Sequence, residues 1–82
     1  MEGGKDMNLN LGKIKHARIR NGLTQTDVAL NMGFKNRSSY AKRELGIVPI
    51  GPDELAKMGK IFGYASNNLH IFFDQNVPKR ER

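Results

Sequence analysis

GLTQTDVALNMGFKNRSSYAKRELG, running from Gly22 to Gly46, is the stretch on which the fold of this chain turns. It divides into a short helix, a turn at a glycine, and a second, more basic helix. Thr24 is the expected N-cap of the first, with its hydroxyl accepting from an amide near Asp27. Asp27, three residues on, completes the T-x-x-D form of a capping box, and its charge suits the positive end of the helix. Leu23 before the cap and Val28 at the fourth helical position have the spacing of a hydrophobic staple. Val28, Ala29 and Met32 then make one apolar stripe. Gly33 follows where a chain leaving a helix needs positive φ, which glycine adopts cheaply. Asn36 is placed to cap the next helix, from Arg37 to about Leu45, and Gly46 ends it. Two short helices joined by a glycine turn are the ingredients of a helix-turn-helix, whose second helix can enter the DNA major groove.

The rest of the chain supplies a setting for that unit. Eighty-two residues allow one small domain, and with no cysteine neither a disulfide nor a cysteine-based zinc site can staple it. Stability must come from packed helices, supplemented by dimerisation. No apolar run approaches the roughly 20 residues of a membrane span, and no segment resembles a signal peptide, so a cytoplasmic protein is expected. The net charge of +6 is unevenly placed. Between Leu11 and Gly46 stand Lys13, Lys15, Arg18, Arg20, Lys35, Arg37, Lys42 and Arg43 against only Asp27 and Glu44, so the whole excess falls on this segment. That is the footprint of a protein approaching phosphates, although a solubilising surface would give the same count.

Residues 1–8 (MEGGKDMN) are polar and without period, and read as a flexible arm or an appended leader. Residues 9–74 read as the domain. Asn10 is the expected cap of a helix from Leu11 to about Asn21, with Leu11, Ile14 and Ala17 on its buried face. Arg18 borders that face, an odd place for a charge without a partner. After Gly46, the apolar Ile47, Val48 and Ile50 should fold back on the core. Gly51-Pro52-Asp53-Glu54 is a strong helix start, and Leu55, Met58, Ile61 and Phe62 form the buried face that follows. Gly59 costs that helix roughly 1 kcal/mol relative to alanine and permits close packing. Ser66 is expected to cap a fifth helix through about Phe73. Leu69, Phe72 and Phe73 can turn inward from it, yet Ile71, Phe72, Phe73 and Val77 carry more apolar surface than so small a bundle needs, and are read as core or, in preference, as a candidate dimer patch. Residues 75–82 form a basic tail.

The motif G-L-T-Q-x-x-V-A-x-x-M-G-F, followed by R-S-S-Y-A-K-x-E-x-G, resembles the Cro/XRE, lambda-repressor-like helix-turn-helix family, with similarity extending from about Leu11 to Leu69. The resemblance implies an all-α, five-helix domain in which the second and third helices form the helix-turn-helix. It implies an ion pair between Arg18 and Glu44, tying the first helix to the third. It also implies that Gln25 bonds a DNA phosphate and braces a side chain of the reading helix. The turn is one residue longer than in the commonest family pattern, and Arg43 stands where relatives usually carry a large apolar residue.

With Asn36 as cap, Asn36, Arg37, Ser38, Ala41 and Lys42 are expected to face the groove. Arginine can grip guanine, asparagine can pair with adenine, and alanine can meet a thymine methyl. Thr24, Gln25, Lys35, Ser39 and a snorkelling Arg43 are assigned to phosphates. Phe34 and Tyr40 should be core. The expected partners are double-stranded DNA and a second copy of the chain, with no cofactor and no metal. Catalysis is not expected, since the sequence offers no nucleophile–base pair, no phosphate-cradling glycine loop and no metal cluster around His16 or His70. The function read here is sequence-specific transcriptional regulation, most simply repression. The alternative is a protein-interaction module of antitoxin or antagonist type, acting through an apolar last helix.

Overall fold

Capping chemistry sets the helix boundaries, and the computed structural model, which describes residues 7–75, follows it closely. In chain order come strand β1 (Met7–Leu9), helices α1 (Leu11–Arg20), α2 (Gln25–Met32), α3 (Arg37–Glu44) and α4 (Pro52–Ile61), a 3₁₀ helix (Ser66–Phe72) and strand β2 (Phe73–Gln75). The Asn10 side chain accepts from the Lys13 amide, and the Thr24 and Asp27 side chains each accept from the other's backbone amide. Asn36 accepts from the Ser39 amide, and Pro52 occupies the first turn of α4. Gly33 leaves α2 at φ 88°, the left-handed conformation that its position demands. Among the described residues no helix is long and apolar enough to cross a membrane.

The helices bury Ile14, Ala17, Val28, Ala29, Met32, Tyr40, Leu55, Met58, Phe62 and Phe72 in one core. Phe72 meets the edges of Phe62 and Tyr64 in T-shaped contacts, with ring centroids 6.3 and 5.4 Å away. Gly59 is buried, and a β-carbon added there would run into Leu69 Cδ2. Overpacking of that kind costs about 1–3 kcal/mol, against about 1 kcal/mol of helix propensity that alanine returns. Gly59→Ala is therefore expected to lower the urea midpoint. An unchanged or raised midpoint would mean that Leu69 yields freely.

Three expectations need correction. The all-helical bundle carries a two-stranded antiparallel sheet, with Met7 opposite Gln75, Asn8 opposite Asp74 and Leu9 opposite Phe73. Met7 and Asn8, read as arm, and Gln75, read as tail, are thus paired strand residues. The Asn10 amide donates to the Phe72 carbonyl at 2.7 Å, and Asp74 receives the Asn10 amide group at 2.7 Å and Lys13 at 3.2 Å. The fifth helix is 3₁₀, starts at Ser66 after Ala65 without a side-chain cap, and gives way to strand at Phe73. Ile47, expected on the core, is 67% exposed, while Val48 and Ile50 are half-buried.

The dimer patch also changes. Phe72 is 1% exposed and belongs to the monomer's core, and Ile71 and Phe73 pack partly buried against it. The 3₁₀ helix turns its large side chains inward because it closes the bundle over α1 and α4. Val77 and residues 1–6 lie outside the described residues.

Candidate nucleic-acid interface

Glu44, at the last residue of α3, is the centre from which the site is built. It is 8% exposed, and Arg18, at 9%, donates to both of its oxygens, Nε to Oε2 at 2.8 Å and one terminal nitrogen to Oε1 at 3.2 Å. This is the bidentate geometry that makes arginine–carboxylate pairs strong, and it ties α1 to α3 as expected. Arg18 also donates to the Leu23 carbonyl at 2.9 Å. The Tyr40 hydroxyl donates to Glu44 Oε2 at 2.7 Å, a role that an aromatic core position does not announce in sequence. Burial alone would raise the Glu44 carboxyl, but the bonds from Arg18, Tyr40 and Gln25 outweigh it and hold the group below its ordinary value. Burial and the bond to Glu44 push the Tyr40 hydroxyl well up.

From this buried pair a chain of bonds runs to the surface. Gln25, at the start of α2, donates its amide to Glu44 Oε1 at 2.8 Å and accepts on its own oxygen from Arg37 at 2.9 Å. Arg37 is the first residue of α3 and is exposed. A guanidinium carries five donors, so one bond to Gln25 leaves the others free while fixing where the group stands. Gln25 thus braces a side chain at the head of α3, from a half-buried position beside exposed Thr24.

The outward row of α3 continues from there. Ser38, Lys42 and Leu45 recur at i, i+4 and i+7, and all three are exposed. Leu45, at 72%, was not among the expected site residues, because it was read only as the end of a helix. Lys35 and Asn36 are exposed in the turn, and Ser39 is half-buried.

Three assigned residues stand elsewhere than expected. Ala41 is 8% exposed, because Tyr40 and Glu44 both point into the core and carry the intervening flank of α3 inward with them. Its methyl is not offered to a thymine. Asn36 Oδ1 is engaged by the Ser39 amide and by the hydroxyls of Ser38 and Ser39, at 3.2, 2.9 and 3.3 Å. The bidentate pairing with adenine needs both ends of the amide, and while Asn36 caps α3 only its nitrogen is free. Arg43 is not snorkelling to phosphate. It grips both oxygens of Glu54 on α4 at 2.9 and 3.1 Å, donates to the Ser39 carbonyl at 2.6 Å, and lies 4.5 Å over the Phe34 ring. The bonds from Arg43 hold the Glu54 carboxyl below its ordinary value. A cation replaces the usual apolar side chain because an acid across the groove and a ring beneath it receive it.

A surface helix whose exposed row carries a guanidinium, hydroxyls and an ammonium, held by a second helix across a glycine turn, defines a DNA-binding helix-turn-helix domain. The family model described as helix-turn-helix matches residues 14–67, and the chain belongs to that family, of the Cro/C1 type. Comparison with curated proteins and with solved structures returned no match.

Proposed function

We propose that this protein is a sequence-specific transcriptional regulator that lays α3 in the major groove of double-stranded DNA. The observation that carries the reading is the exposed row Arg37, Ser38 and Lys42 at the head and outer face of α3, with Arg37 braced from α2 by Gln25. Arg37 and Lys42 have the chemistry to grip guanine, and Ser38 can bond any base edge. Thr24, Gln25, Lys35 and Ser39 flank that row and serve the phosphates. Repression by occluding a promoter is the simplest consequence, and a reporter driven from a promoter that overlaps the selected site gives the sign.

The interaction-module alternative requires an apolar face on the last helix, and Phe72, its largest residue, is spent in the core.

Fluorescence anisotropy against pooled random duplexes tests the reading. Log Kobs should fall linearly with log salt, with a slope of about −0.9 for each phosphate neutralised. Rounds of selection should then return a defined motif. Absence of salt-sensitive binding to any duplex would overturn the proposal.

A further inference from the structure

Beside α4 the molecule carries a groove of about 690 Å³, within the roughly 300–1,000 Å³ of small-molecule sites. None of the outward row of α3 lines it. Its apolar walls are Met32 from the end of α2, Phe34 from the turn, Ala56 on α4 and Tyr64 from the loop that follows. Two aromatic rings and a thioether favour a flat aromatic guest over an alkyl chain, through ring-edge and sulfur contacts.

The charges along the groove are unevenly spread. Lys57 and Lys60, at i and i+3 on the C-terminal half of α4, are both exposed, and Ser66 adds a hydroxyl to the lining. Lys57 Nζ lies 3.5 Å from the Met32 carbonyl, which occupies one of its three N–H donors and leaves two. Lys60 has no ion-pair partner among the described residues. Of the two acids in the lining, Glu54 has both oxygens held by Arg43. Asp53 stands seven residues before Lys60, roughly 10 Å along the helix.

We propose that this groove binds a small amphipathic aromatic carboxylate, with its rings among Met32, Phe34 and Tyr64 and its anion at Lys57 and Lys60. Two available ammonium groups draw a carboxylate to one end, while Asp53 repels it from the other and so sets the direction in which the guest lies. A neutral ring leaves both cations unused, and a cationic one meets them head on. Phe34 and Glu54 are also the seats of Arg43, so the guest rests against the contacts that fix the last turn of α3. The proposal stands apart from DNA binding and is tested without DNA.

The probe is 2-naphthoate, with 2-naphthamide as its neutral counterpart and decanoate as an alkyl acid of the same charge. Titration into nitrogen-15-labelled protein, followed by amide chemical shifts, should give saturable changes centred on Met32, Phe34, Ala56, Lys60 and Tyr64. Naphthamide should bind about ten-fold more weakly, having lost two exposed charge contacts. Decanoate should also bind more weakly than naphthoate. Lys60→Gln should weaken naphthoate about five-fold and leave naphthamide unchanged. Asp53→Asn should alter either by less than about two-fold, because the anion lies near a Debye length away.

No saturable shift, shifts confined to the basic surfaces of α1 and α3, or equal affinity for acid and amide would overturn the proposal. So would decanoate binding as tightly as naphthoate, or a Lys60 effect no larger than that of Asp53. Should Lys60→Gln fail to fold, the comparison of acid with amide on the unaltered chain decides alone.

Discussion

Glu44→Ala is expected to cost the fold about 3–5 kcal/mol, the range for removing one partner of a buried ion pair. The loss is large because Arg18 stays behind, 9% exposed, with its guanidinium deprived of both carboxylate bonds. The Tyr40 hydroxyl, fully buried at 0%, loses its acceptor as well. Against a total of about 5–15 kcal/mol for a typical domain, that is a sizeable fraction. Urea denaturation followed by circular dichroism measures it. A midpoint equal to wild type would sink the claim that this network holds α1, α2 and α3 together.

Acid provides a second view of the same group. The folded Glu44 carboxyl lies below its ordinary value of 4.5, so its contribution is fully present above that pH and is lost as pH falls through the folded value. Wild type should lose stability below pH 4.5 more steeply than Glu44→Gln, which has no proton to take up in that window. Glu54, also depressed, leaves a residual slope in both proteins.

Arg37→Ala is expected to weaken binding to the selected site by about 1–3 kcal/mol and to relax preference at one base pair. Lysine should not rescue it, because a point charge lacks the fork that grips guanine. Gln25→Ala should affect the same base pair by a smaller amount, since the guanidinium remains but its brace is gone. Stability should change little for Arg37→Ala, which removes an exposed side chain. Comparison of selected-sequence logos and anisotropy titrations separates the outcomes. A uniform loss over all sequences, with the salt slope reduced by about 1, would make Arg37 a phosphate contact instead.

What could be read from sequence was local. Thr24 with Asp27, Asn10, Asn36 and Pro52 are short-range chemistry, and each helix start fell where its cap put it. The ion pair of Arg18 with Glu44 was legible because a charge beside an apolar stripe demands a partner and the family motif supplies one. What escaped depended on distant packing. Three-residue strands leave no periodic signal, and β1 meets its partner only after almost the whole domain has intervened. The rotational phase of α3 rests on Tyr40 and Glu44 both pointing inward, which buried Ala41 although its position relative to the cap was correctly read. Arg43 departs from the apolar residue usual at its position, and that was visible. Its partner Glu54, eleven residues on, was not.

The bonds of Arg43 also bear on how such a protein could change its target. Through Glu54, the Ser39 carbonyl and the Phe34 ring, one side chain bolts the last turn of α3 to α4 and to the turn before α3, while the neighbouring Glu44 fastens the same end to α1. A helix whose last turn is clamped on two sides has little freedom to re-tilt in a groove. New sequence preferences would then arise by exchanging side chains at Ser38, Lys42 and Leu45 on a fixed chassis, which makes the outer row a cassette for grafting.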